Sequence, residues 1–256
     1  MAATILVRDL IGRVSDSLTD TNPQFTRWAE PVLIGWLNEA QLVIAKYLPF
    51  SCSRVDSVRL APGTRQSIAT IAQTHIIPGD GSAAAAVNGN ALLAVVRNMG
   101  ATGTTPGRAI RIVDQDVLDA SNPDWHIATP AAVVRQYTFD PRTPKSFYVS
   151  PPVHPTTQCW VELSFMADPK AIPVGSALSG STVRISVDDK NSDDLFNYIM
   201  ARAQMKDAEI DGNAQLANSY VTMFTSSINA QATALLGVNP NLTSLPLNPS
   251  VPAAAR

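Results

Sequence analysis

The sequence predicts an α+β protein: a helical bundle built from N- and C-terminal helices, with a β-rich central insertion and an extended C-terminal arm. Three observations carry this expectation. Apolar residues near both ends recur at the 3.6-residue spacing of amphipathic helices. Between them the rhythm shortens to strand-like runs separated by Pro, Gly and Asn. After Asp211 charge disappears, with no Asp, Glu, Lys or Arg in the 44 consecutive residues from Gly212 to Ala255. The implied organisation is N-terminal helices over 1–50, a β-rich centre over 51–187, a long helix or helix pair over 188–237 and a tail over 238–256.

The first helix is expected from Ile5 to Leu18. Val7, Leu10, Ile11, Val14 and Leu18 share one face, Thr4 is available as a cap, and Asp20 to Pro23 ends it. The second begins near Ala29, with Pro31 in a first turn where its missing N–H costs nothing. Its stripe is Leu33, Trp36, Leu37, Ala40, Val43, Ile44 and Leu48. Asn38, Glu39, Gln41 and Lys46 are expected to face away from most of that stripe, and Pro49 stops the helix.

Strands are expected at Val55–Leu60, Arg65–Ile71, Leu92–Arg97, Ala109–Val113, Val133–Phe139, Phe147–Val149 and Cys159–Phe165, with a last alternating run at Thr182–Val187. Gly79 to Asn90 reads as a loop, and Asp114 to Ala120 as a short helix. Ser192 is placed to cap a helix opening on Asp193 and Asp194, whose charges suit the positive N-terminal end. Phe196, Ala203, Ile210, Ala217 and Phe224 then repeat every seven positions. A second series is Ala214, Val221, Ile228 and Leu235. The phase survives Asp211-Gly212-Asn213, which favours one long helix bent at Gly212 over a hairpin of two. Gly237 is the expected stop.

Composition narrows the function classes. Charged residues make up 16% of the 256-residue chain, against about 25% in typical domains. A surface poor in charge is suited to being covered by a partner. The net charge of −2 gives no bulk attraction to nucleic acid or acidic lipid. Cys52 and Cys159 make no disulfide framework and stand in no metal spacing with His75, His126 or His154. No secretory signal is expected at the start, and no apolar run reaches the roughly 20 residues of a membrane helix.

Catalytic signatures are weak. The pairs Asp188-Asp189 and Asp193-Asp194 have the chemistry of an acid–base or metal site, but at a helix start they read first as helix-dipole residues. Gly100 to Gly107 lacks the Lys-Ser/Thr of a phosphate loop, and no Gly-x-Ser-x-Gly elbow is present. Trp125 and His126 read as a hydrophobic plug and its hydrogen-bonded neighbour. No catalytic residue, metal ligand or cofactor is expected.

The uncharged end points to binding instead. Thr222, Ser226 and Asn229 lie on the polar side of the last helix, where neutral groups are buried against a partner at lower cost than charges. In the tail, Asn239 and Pro240 are followed by Leu242, Leu245, Leu247 and Val251, spaced for shallow pockets. The tail's prolines reduce the entropy lost on docking.

Several motifs occur in order along the chain. Trp36-Leu37-Asn38-Glu39-Ala40-Gln41 is followed by Ile44-Ala45, and then by Leu60-Ala61-Pro62-Gly63-Thr64-Arg65-Gln66. Asp124-Trp125-His126, Tyr137-Thr138-Phe139-Asp140-Pro141 and Phe147-Tyr148-Val149-Ser150-Pro151-Pro152 complete the series. In these the chain resembles the head–tail adaptor (connector) proteins of tailed bacteriophages, over most of residues 30 to 235. The resemblance implies a non-enzymatic homo-oligomeric ring of twelve copies in the virion neck, assembled in the host cytoplasm. Its implied partners are the portal protein on one face and a tail or nozzle protein on the other. Double-stranded DNA would pass through the hole without sequence recognition. Two other readings stay open: a virion-associated cell-wall hydrolase using the Asp188–Asp194 carboxylates, and a tail-tube or baseplate component.

Overall fold

A computed structural model describes residues 3–19, 27–207 and 212–238, with the side chains of 235–238 left aside. Among the described residues the chain is α+β, with five α-helices and two four-stranded sheets.

The strands alternate as half-buried strands should. In β8 (Trp160–Ala167) Val161, Leu163, Phe165 and Ala167 point inward, and in β7 (Ser146–Val153) Phe147 and Val149 do so. Six further strands are β1 (Ser53–Arg59), β2 (Gly63–Ser67), β3 (Ile76–Pro78), β4 (Gly89–Asn98), β5 (Arg111–Ile112) and β6 (Gln136–Phe139). One sheet has the order β3-β1-β8-β4 and is antiparallel throughout. The other has the order β2-β7-β6-β5, with only β5 and β6 parallel. Their inner faces share one apolar cluster, in which Leu92, Leu163 and Phe165 meet Tyr137, Phe147 and Val149. The β-rich centre is therefore as the sequence predicted.

The helical part corrects the prediction. The helices are α1 (Val7–Ser17), α2 (Glu30–Tyr47), α3 (Gln115–Ser121), α4 (Ser192–Lys206) and α5 (Asn213–Val238). The expected bundle of N- and C-terminal helices is not what they form. At 11 residues α1 is short, about 16 Å at 1.5 Å per residue. The second apolar cluster is not made of helices alone: Ile172, Ala177, Ile185 and Val187, from irregular chain between β8 and α4, fill it beside Leu10, Leu37, Ile199 and Phe224. The result is a helical layer centred on α4, which packs against α1, α2 and α5. Of the expected C-terminal arm, 238–256, Val238 ends α5 and residues 239–256 lie outside the described residues, as does the Asp20–Pro23 stop.

Irregular chain inside a core must still pair its backbone polar groups, and α2 does this with polar residues, two of which, Asn38 and Gln41, were expected to face away. Asn38 accepts from the Ile172 N–H (2.8 Å) and donates to the Ile172 carbonyl (3.0 Å). Gln41, 1% exposed, accepts from the Ser186 N–H at 2.6 Å. Glu30 accepts from the N–H groups of Gly175 and Ala177, both at 2.9 Å. Asn38 and Gln41 thus face the core. The run expected as a strand at Thr182–Val187 forms only a single bridge, Arg184 to Leu6.

The chain from α4 to α5 also departs from expectation. It is a hairpin, not one bent helix. Asn213 reaches the Asp207 carbonyl, Phe224 meets Tyr198 and Gln231 meets Asp194, so the two helices run antiparallel. Gly212 has φ +91°, in the left-handed region that glycine enters without steric cost. A seven-residue period is equally compatible with two helices that present their stripes to each other, so its survival across the turn did not distinguish the cases. Nor does Gly237 stop α5, which continues to Val238.

Candidate functional site

The hairpin creates the surface of most interest. The 26 residues of α5 extend about 39 Å. Ala217, Phe224 and Ile228 are buried, and Phe224 and Ile228 join the apolar cluster that α4 and α2 also line. On the opposite side Gln215, Asn218, Ser219, Thr222, Ser226, Asn229 and Thr233 are exposed, and none is charged. The Thr222 hydroxyl turns back to the Asn218 carbonyl at 2.8 Å, and the Thr233 hydroxyl to the Asn229 carbonyl at 2.9 Å. These bonds satisfy the hydroxyl donors within the helix and lower the cost of covering the face.

Beside this face lies a groove of about 450 Å³ between α2, α4 and α5. Its walls include Val43 and Tyr47, Tyr198 and Met205, and Phe224 and Ile228. Tyr47 is 58% exposed and Met205 45%. Among the described residues that line it, the cation is Arg202, which is committed to its neighbours. It donates to the Tyr198 hydroxyl at 2.9 Å and to Glu39 at 3.1 Å. The bond to Tyr198, with the adjacent Glu39 charge, raises its pKa further and keeps it ionised. Asn229, on the groove edge, has a side-chain amide with no hydrogen bond to the described residues.

Of the residues singled out in the sequence, the structure brings Thr222, Ser226 and Asn229 onto one exposed side of α5, and Asn229 also lines the groove. Asn239, Pro240, Leu242, Leu245, Leu247 and Val251 lie outside the described residues. Sequence reasoning missed the groove because three separate helices build it. The available signal was apolar residues off the buried stripes, Tyr47 on α2 and Met205 on α4.

The acidic cluster is tied into the fold more tightly than helix-dipole residues need to be. Asp189 accepts from the Thr4 and Ile5 N–H groups at 2.8 and 3.1 Å. Burial alone would raise its carboxyl, but those bonds, one from the Thr4 hydroxyl and the Arg184 charge hold it below the ordinary carboxylate range. Thr4 therefore does not cap α1, whose N-cap is Leu6. Asp193 pairs with Arg13 at 3.0 Å, and Asp194, 2% exposed, accepts from Gln231 at 2.8 Å. Asp188 meets Lys190 at 3.5 Å. These bonds fasten the N-terminal segment, α1 and α5 to the start of α4.

A larger cleft, about 760 Å³, separates the β1–β3 edge from residues 167–171 and 185–188. Its carboxylates include Asp56, bound by Arg54 and the Gly79 N–H, and Asp80, bound by the Ser82 N–H. Among the described residues no group of three or more His, Cys, Asp or Glu side chains is placed to hold a metal ion. Trp125 is fully buried and donates to Asp119 at 2.7 Å; His126 stacks on it with ring centroids 3.6 Å apart and meets the Thr64 hydroxyl at 2.9 Å.

A scan against protein-family models matches none of them, and a search of curated proteins returns no match. No helix among the described residues is long and apolar enough to cross a membrane.

Proposed function

We propose that this chain is a non-enzymatic structural subunit of a virion, one of twelve in a homo-oligomeric head–tail adaptor ring. On this reading the ring sits in the neck, docks on the portal protein and receives the tail or nozzle protein. Double-stranded DNA passes through its hole without sequence recognition. The observation that carries the reading is the uncharged exposed side of α5 with the apolar groove beside it. Surfaces between subunits favour neutral and aromatic groups over Lys, Glu and Asp. A ring subunit must cover two heterologous side faces. The ordered motifs from Trp36 to Pro152 supply the resemblance to adaptor proteins. The internal bonding of Asp189, Asp193 and Asp194 favours a structural role for the acidic cluster over a hydrolytic one.

Size-exclusion chromatography with light scattering, with and without purified portal protein, tests the proposal. Negative-stain imaging of the same fractions gives the form of the assembly. The expected result is closed rings that co-elute with portal. A monomer at every concentration that ignores portal overturns it.

A further inference from the structure

We propose that the groove between α2, α4 and α5 receives the proline-containing C-terminal segment, residues 239–256, of a neighbouring copy. This rests on the assembly reading above and names the acceptor site within it.

The groove and the segment match chemically. Tyr47, Tyr198 and Phe224 give the groove an aromatic lining, and Met205 is exposed at its side. Aromatic-lined grooves take extended proline-containing peptides, which lose little entropy on docking. Methionine adds an adaptable apolar contact. The segment carries Pro240, Pro246, Pro249 and Pro252, with Leu242, Leu245, Leu247 and Val251 between them. A volume of about 450 Å³ is within the range of about 300–1,000 Å³ of binding pockets. With Arg202 held by Glu39 and Tyr198, the residues lining the groove present no uncompensated charge, the Lys46 ammonium lying over the Tyr47 ring 5.6 Å from its centroid, and the segment has none before Arg256. At the edge, the Asn229 amide offers both a donor and an acceptor to a peptide group.

The course of α5 favours a neighbour's groove over the chain's own. Gln231 already sits opposite Asp194, near the start of α4. Asp194 is the third residue of α4, so the last five residues of α5, from position 234 to Val238, run past that start. Val238 is nine residues beyond Asn229, the last α5 residue in the groove, or about 14 Å farther along the axis. To fill its own groove the chain must reverse direction and retrace that distance. Continuing outward, 18 residues of extended chain span about 55 Å, ample to reach a second subunit.

The test places a photo-cross-linking phenylalanine analogue at Leu245 of the full-length chain. Equal amounts of isotopically light and heavy protein are mixed before irradiation, and cross-linked peptides are mapped by mass spectrometry. The expected products join the tail of one isotope to α2 or α4 peptides of the other, around Tyr47 and Met205. Tyr47→Asp and Met205→Asp should each reduce them at least tenfold. Leu42→Asp, an equally exposed α2 position outside the groove, should leave them unchanged. Same-isotope products alone, products mapping elsewhere, or an equal loss in Leu42→Asp each overturn the inference. If the two groove variants fail to fold, the map from the parent sequence decides alone. Rings that bind portal but cross-link outside the groove sink this inference and leave the adaptor reading standing. Mixed products in the groove of a protein that ignores portal do the reverse.

Discussion

Asn38 offers the sharpest test of how the irregular segment between β8 and α4 is held. Its amide satisfies both the N–H and the carbonyl of Ile172, a residue 4% exposed within the helical cluster. Asn38→Ala leaves both backbone groups unpaired. Each buried polar group so orphaned costs about 1–3 kcal/mol. Asn38 is half-buried, so water reaches part of the site and the lower half of that range applies. Alanine returns about 0.5 kcal/mol of helix propensity. The net expectation is a loss of about 1.5–3.5 kcal/mol, or roughly 3–14 °C in Tm for a chain of this size. Asn38→Asp separates the two bonds. The carboxylate still accepts from the Ile172 N–H, but it turns an acceptor toward the Ile172 carbonyl. At pH 7 it should therefore be at least as damaging as alanine. That repulsion raises the folded-state pKa of the new carboxyl above its unfolded value of about 3.9. The destabilisation is then complete above the folded pKa and fades as pH falls through it, because the protonated acid donates as the amide did. Melts followed by far-ultraviolet circular dichroism between pH 7 and 4 measure both effects. An Asn38→Ala protein within 1 °C of the parent, or an Asp variant that tracks Ala at every pH, would refute the reasoning.

Three further outcomes are expected. Hydrogen bonding holds Asp189 below the usual carboxylate range despite some burial, so the stability it contributes is present above the unfolded pKa and lost as pH falls through the folded one. Asp189→Asn should be slightly less stable than the parent near neutrality, with solvent screening keeping the loss small, and the two melting curves should converge as pH falls below the folded-state pKa. Burial pushes the Cys159 thiol up to about 11, so about one thiol in a thousand is ionised at pH 8; iodoacetamide should label half-buried Cys52 first, and Cys159 only after urea unfolds the β-rich part. At Gly89 an added Cβ would meet the Ile68 backbone oxygen at 2.5 Å and its Cβ at 2.9 Å, and backbone does not swing aside, so Gly89→Ala should cost about 1–3 kcal/mol by urea denaturation.

The sequence displayed what depends on local periodicity. Leu10, Ile11 and Val14 mark α1 because a short surface helix needs one apolar stripe, and Val161, Leu163 and Phe165 mark β8 because one face of its sheet is buried. Periodicity reports which side is covered and not what covers it. Val183, Ile185 and Val187 alternate because they lean on the helical cluster, although among the described residues the only ladder contact there is Arg184 with Leu6. β3 is three residues long, too short to show a rhythm. Asn38 and Gln41 were placed outward because polarity is usually a surface property, and their buried backbone partners lie more than a hundred residues away. For the candidate site, the charge-free run marked α5 as unusual. The groove beside it needed the α4–α5 hairpin, which the heptad spacing did not distinguish from a continuous helix.

A chain that uses little charge must solve two problems with neutral groups, and the same chemistry recurs in both. Inside, amides stand in for missing backbone partners. Gln66 closes the Ala61–Gly63 turn by bonding the Ala61 N–H and carbonyl, both at 2.8 Å. Asn98 takes the N–H and carbonyl of Val134 at 2.9 and 2.8 Å, as Asn38 does those of Ile172. Each side chain imitates a strand edge and binds an irregular peptide group at both ends. Outside, α5 displays Gln215, Asn218 and Asn229 in a helix without one charged residue. A helix face meant for water gains solubility from Lys and Glu at no cost in helix propensity. Their complete absence over seven turns is costly for a solitary subunit and favourable for a covered one. Asn229, beside an aromatic groove, is positioned to do for another chain's peptide what Asn38, Gln66 and Asn98 do within this one.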